Sequence, residues 1–480
     1  MTQHTPSACR AAIAGIVAAL CMASAAHADV VISSGATSNV SCTSGVCTPS
    51  APNAVLNVGD LETLLASGNV KLAAAGEPVD VDIAAPLSWV STNTLTLDSY
   101  HAINVQQPVA INGRGGLALI TNDGGTGGQF AFLPGANVAF LNGSGSLAIN
   151  GTAYTLVNDI STLASDIAAN PNGSYALGAN YDAAPDGTYT ASPISTNLSG
   201  NFQGLGNTIS NLTISSGEKK KYLALFAGLA AGATISNLVL DNATVTVSGN
   251  GAAAALLVVT NSGTLFGDHT AGTVTGALYA SLGGLAGGNR GTILDSSSSA
   301  NVSGGRKSGA GGLVAGNSLG GTISACFATG SVHLTRLTIQ KPVAAGGLVG
   351  FSNNASISNS YAAGSVDGPG TDQDGGLVGE FQNTTVASSY SAGAVKGGAN
   401  DHHGGFIGFY LTGSATDSYW DTTTSGNDKA SGNNKKLNGI TGLKSKQLQS
   451  GLPTGFDPTI WAESPSINNG LPYLIANPPQ

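Results

Sequence analysis

Four places in the chain carry side chains able to do chemistry. Asp80 and Asp82 lie in VDVDI, Val79 to Ile83. Two carboxylates held close together are what acid–base hydrolysis of a glycosidic bond requires. Their alternation with Val79, Val81 and Ile83 instead reads as a strand whose acids face solvent. Asp401-His402-His403 offers metal-ligand atoms, but the surrounding GGANDHHGG reads as an exposed loop. Gly267-Asp268-His269 is not a serine-nucleophile signature, and no Ser/His/Asp set can be assembled around it. Cys42 and Cys47, in CTSGVC, could close a small disulfide loop in an oxidising compartment or hold a metal. No histidine lies near them, which favours the disulfide. Cys326 is left single. No cofactor and no metal site is expected, and the chain is expected not to be an enzyme.

Such groups need elements to hold them, and composition says which kind. Only 9% of the 480 residues are charged and 69 are glycine. Globular domains average roughly 25% charged residues. Helices with solvent-facing Glu, Lys and Arg are therefore excluded as the main element, and so is charged disorder. Thr, Ser, Asn, Val and Ile dominate, and β-structure accommodates many of them. The net charge of −9 makes nucleic acid an unsuitable partner. Lys219-Lys220-Lys221 reads as a solvated loop.

The first 28 residues read as a secretory signal. Arg10 precedes the apolar run Ala11 to Ala23, and Ala26-His27-Ala28 supplies a small-x-small pattern. Cleavage between Ala28 and Asp29 is expected, and with it an exported protein. No later segment offers about 20 uninterrupted apolar residues, so the mature chain is not expected to insert into a membrane.

The chain repeats itself. An apolar lead recurs at Ala224, Ala255, Gly283, Gly311, Gly346, Gly375 and Gly404. Eight to ten residues after each lead's Leu or Phe stand Ile235, Leu265, Ile293, Ile323, Ile357, Val386 and Ala415, separated by 30, 28, 30, 34, 29 and 29 residues. Four residues further stand Val239, His269, Ser297, Phe327, Tyr361, Tyr390 and Tyr419. Nine residues after the second position stand Thr244, Val274, Val302, Val332, Val366, Val395 and Thr424. Steps of 2 and 4 keep side chains on one strand face. The odd step of 9 requires a bend, which Ala363-Gly364 and Ala392-Gly393 suit. Each repeat thus predicts one coil of short strands, stacked in parallel at about 4.8 Å. The branched and aromatic columns, Phe327, Tyr361 and Tyr390 included, are expected inside. Asn237, Gly267, Asp295, Ala325, Asn359, Ser388 and Asp417 fall between them, either as an inward polar ladder or at a bend.

GGLVGFSNNASISNSYAAGSV, Gly346 to Val366, resembles the GLUG repeat of bacterial secreted surface proteins. NFQGLGNTISNLTI, Asn201 to Ile214, is similar to the coil that leads into such arrays. The resemblance covers about residues 170–425 and extends to filamentous-haemagglutinin-like exoproteins and adhesins of Gram-negative bacteria. It implies a parallel β-helix, expected to be right-handed, and an outer-membrane transporter as a partner for export. Such solenoids include polysaccharide lyases and hydrolases, but the Asp-Asp and Gly-His-Gly pattern of pectin hydrolases and the calcium-binding GGxGxD nonapeptide are absent.

The organisation read from these features is a signal at 1–28, an N-terminal β-helical region at 29–170, the repeat β-helix at 171–424 and a C-terminal cap at 425–480. Helices are expected at Asp60–Ser67, with Asp60 as N-cap, and within Asn158–Asn170, the first capping the solenoid and the second covering one side. Trp461 and Tyr473 are expected to plug or lie against the last coil. The functional expectation is an adhesin-like protein whose partners are host or bacterial surface glycans or proteins. A polysaccharide-acting enzyme and a structural spacer are the alternatives.

Overall fold

The computed structural model describes residues 30–74, 80–305, 308–335, 344–368, 373–397 and 402–479. They fold as an all-β parallel solenoid with a few short helices. The proposed cleavage site at Ala28–Asp29 lies outside the described residues, as does Asp401.

The coils form two stacks with separate cores. In the first, Val81–Ile83, Leu87–Trp89 and Thr94–Ser99 make one coil. Ile103–Val105, Val109–Ile111 and Gly116–Ile120 repeat it in parallel register. Val81, Ile83, Leu87, Leu95 and Leu97 alternate inward and are buried. The disulfide Cys42–Cys47 crosslinks an antiparallel hairpin whose second strand pairs with Lys71 and Leu72 at the sheet's N-terminal edge. Helix α1 (Val58–Ser67) packs Leu61 and Leu65 into this core. Its cap is Asn57, not Asp60: the Asn57 side chain accepts from the amides of Gly59 and Asp60. Asp60 instead sits in the first turn, where its charge complements the helix dipole.

The second stack begins at a hairpin. Asn150 and Gly151 both have positive φ, 49° and 77°, the conformation that two-residue hairpin turns select. They reverse the chain between Ser146–Ile149 and Thr152–Val157 within one continuous sheet. Tyr154, Leu156 and Ala176 on one face of that sheet pack into the first core. Val157, Tyr175 and Leu177 on the other face pack into the second. The strand direction and the side on which the interior lies therefore change together, which preserves the winding sense and sets the second core on the opposite face of the shared sheet. Helix α2 (Ile160–Ala169), capped by Asp159, packs Ile160, Leu163 and Ile167 into the second core near its start.

Ile235, Leu265, Ile293, Ile323, Ile357, Val386 and Ala415 stand in unbroken parallel register along the second stack. All are buried. Val274, Val302, Val332, Val366 and Val395 form a further inward column. Thr244 falls one place out of it, because a bulge between Leu240 and Ala243 brings Val245 opposite Val274, and Thr424 is exposed. At the corners a side chain has no room: a Cβ on Gly346 would lie 1.9 Å from the Val349 carbonyl oxygen.

The intervening polar column is a bend, not an inward ladder. Asn237, Gly267, Asp295, Ala325, Asn359, Ser388 and Asp417 all have φ between 44° and 64°. A left-handed residue breaks the two-residue alternation, so the next residues (Leu238, Asp268, Ser296, Cys326, Ser360, Ser389 and Ser418) become buried. The residues after them turn outward. Phe327, Tyr361 and Tyr390 are thus not part of the solenoid interior. They form a separate cluster with Leu448, Phe456, Trp461 and Leu474 of the C-terminal segment.

That segment does two things. Ile440–Leu443 pairs with Ser418–Asp421, and the Ala430 carbonyl accepts from the amides of Phe406 and Ile407, extending the last coil. Residues beyond it run back along the side as a strap, pinned by the antiparallel pair Trp461–Ala462 and Tyr473–Leu474. Trp461 and Tyr473 lie in this lateral strap and do not plug the end. Asn477 donates to the carbonyls of Ser296 (3.2 Å) and Ala325 (3.1 Å), several coils back.

Candidate ligand groove

The last coil of the first stack meets the second stack, where the Val138 and Phe140 amides donate to the Leu205 and Gly178 carbonyls, and a trough lined by both stacks lies beside that junction. One wall comes from the outer face of the first stack. Asp80 accepts from the Ala102 amide at 2.9 Å, and its Oδ1 lies 2.7 Å from His101 Nδ1. Asn104 donates to Asp82 at 2.9 Å. The two acids do face outward on one strand, as their alternation predicts, but Asp80 meets a groove rather than open solvent. The opposite wall is the bend region of the second stack, where His269 Nδ1 lies 2.8 Å from Ser297 Oγ. The strap contributes Thr459, Ala476 and Pro479.

Asparagines tie the walls together. Asn207 donates to the carbonyls of Val138 (2.8 Å) and Leu177 (3.0 Å), and Asn137 donates to Asn207 at 2.8 Å. Asn237 donates to the Phe130 carbonyl at 3.0 Å. The trough holds two adjoining cavities of about 450 and 400 Å³, joined where Gly135, Gly206, Val239 and His269 line both. That is within the size range of small-molecule sites.

Burial sets the protonation of the groups here. Desolvation pushes the Asp295 carboxyl up to about 6 and the His269 imidazole down to about 4. Asp268, one residue before His269, points inward and is wholly buried. Its Oδ1 accepts from the Leu238 amide at 3.0 Å, yet desolvation still pushes it up to about 8. Burial thus disfavours the charged form of both neighbours, Asp268 and His269.

His402 and His403 are half-buried in the strand His402–Gly404, in register with Gln373 and Asp374, rather than in an exposed loop. Among the described residues no group of three His, Cys, Asp or Glu is placed to hold a metal. Cys326 is buried and reduced. No helix among the described residues is long and apolar enough to cross a membrane. Sequence reasoning missed the groove. The available signal was the ionisable His269 in a column otherwise filled by Val, Ser, Phe and Tyr, and Asp295 in a column whose only other acid is Asp417.

The molecule is a β-helix solenoid carrying a GLUG motif: the family model described as "The GLUG motif" matches residues 342–367. No curated protein matches the chain. Among solved structures, a Bacteroides ovatus protein provisionally described as an immunoglobulin A1 protease is similar at 20% identity, with a TM-score of 0.43 over 68% of this chain and 92% of that one.

Proposed function

We propose that this is an exported adhesin-like protein of the bacterial surface, acting by binding rather than catalysis. The observation that carries the reading is the trough between the stacks, where a rigid scaffold presents hydroxyl, amide and carboxylate groups in a cavity of ligand size. Repeat scaffolds serve recognition because each coil adds surface without a new core. The signal-like N-terminus and the resemblance to filamentous-haemagglutinin-like exoproteins support export, with an outer-membrane transporter as the partner in secretion and host or bacterial surface glycans or proteins as ligands. Beads coated with the mature chain should adhere to epithelial or bacterial cells above albumin-coated beads. Equal retention on every surface would remove the adhesion reading.

A second reading is a glycan-cleaving enzyme. It is favoured by the presence of Asp80 and Asp295 in one cavity, with Asp295 holding its proton to about pH 6. Two carboxyl groups facing one cavity are what glycoside hydrolysis requires. New reducing ends released from a polysaccharide, and lost in Asp295→Asn, would replace binding by catalysis.

A further inference from the structure

We infer that the trough between the two stacks binds a neutral oligosaccharide. This rests on reading the protein as a ligand-binding module and names the site and the ligand class.

Charge narrows the ligand first. Among the described residues, neither half of the trough is lined by a lysine or arginine, while Asp80, Asp241 and Asp295 line it. A uronate, sialylated, sulfated or phosphorylated ligand would bring negative charge against carboxylates with no lysine or arginine in the lining to meet it, which costs affinity. Nucleic acid is excluded on the same ground.

Hydrogen-bonding capacity narrows it next. A pyranose presents hydroxyls that both donate and accept. The walls offer matching acceptors and donors in Asn104, Asn137, Asn180, Thr208 and Ser299. Ionised carboxylates make the stronger bonds to hydroxyl donors. Asp80 is already oriented by His101 and the Ala102 amide, so its position is set before a ligand arrives.

Apolar surface completes the match. Phe132 and Phe266 line one cavity and Phe327 the other. The C–H face of a sugar ring can pack on such rings while its hydroxyl edge meets the polar groups. Two joined cavities suit a chain of sugar units better than one compact molecule.

The test titrates the full mature chain with neutral gluco-, galacto- and manno-oligosaccharides and with uronate oligomers, by calorimetry and saturation-transfer NMR. Saturation transfer to at least one neutral series is expected, with little to the uronates. Ala131→Trp, which fills the trough from its wall, and the milder Asn104→Leu should each weaken binding at least tenfold. Lys446→Ala, outside the trough, should not. Circular dichroism checks folding, and Asn104→Leu decides the point if Ala131→Trp does not fold. No neutral series binding, stronger uronate binding, or indifference to both groove variants would overturn the inference. Bead adherence measured in parallel separates the two claims: adherence without neutral-glycan binding removes this site and leaves adhesion, and loss of both removes both.

Discussion

The rings of Tyr361 and Tyr390 lie 4.9 Å apart and within 3° of parallel, on the outside of the coil and beneath Trp461. The spacing is that of neighbouring strands, because the two residues are register partners in adjacent coils. Phe327 stacks on Tyr361 at the same 4.9 Å. An exposed aromatic row of this kind would be an aggregation-prone stripe. The strap covers it, and Tyr390 is fixed to the strap by donating to the Pro472 carbonyl at 2.6 Å and accepting from Asn468 at 2.8 Å.

The strap should therefore depend on its anchor. Trp461→Ala is expected to cost about 3–5 kcal/mol of strap docking, as for other buried aromatic truncations, and Tyr390→Phe about 1 kcal/mol. Limited proteolysis should cut the Trp461→Ala chain rapidly within residues 444–479 and leave the coils intact. A cleavage pattern like that of the parent would contradict the docking.

Ala325 occupies a left-handed position, φ 52°, where its column neighbour Asn359 has a residue type that tolerates it. Ala325→Asn is expected to stabilise the fold by about 1 kcal/mol. Urea unfolding followed by tryptophan fluorescence measures it; a midpoint below the parent's would argue against backbone strain at the bend.

The pH dependence follows from Asp295 and Asp268. Both carboxyls are raised above their unfolded value, to about 6 and about 8. Protonation then favours the folded state, so their contribution is complete below about pH 4 and is lost as pH rises through 6 and then 8. Asp295→Asn should melt higher than the parent at pH 7.5 and gain nothing at pH 4. Thermal scans at both values decide; a parent that gains stability from pH 4 to 7 through Asp295 would reverse the sign.

The Cys42–Cys47 bridge closes a short loop of sequence separation 5 on the first sheet's edge hairpin. Cys42→Ser with Cys47→Ser is expected to cost about 2 kcal/mol by loop-closure entropy. It should also loosen an edge that can pair with other chains. Light scattering on heating should detect earlier association than in the parent, and reductant should convert the parent's behaviour to the variant's.

Much of the fold was legible because a stacked coil writes its register into the chain. Ile323, Ile357 and Val386 recur near every 30 residues since each must cover the one before, and low charge with abundant glycine suits strands turning tight corners. Alternation likewise placed Asp80 and Asp82 on an outer face. What spacing could not convey was parity across the bend. Asn359 looked like one more strand residue, yet a single left-handed φ sent Tyr361 outward and Ser360 inward. Nor does any local pattern announce that the Asn150-Gly151 turn moves the interior to the other face of the sheet. The trough exists because the two stacks meet at an angle set by that turn and by the strap: Asp80, His269 and Ala476 line it from distant parts of the chain. Short-range periodicity is set by backbone geometry and is readable residue by residue. The meeting of remote walls depends on how completed stacks pack, and only the tertiary structure decides that.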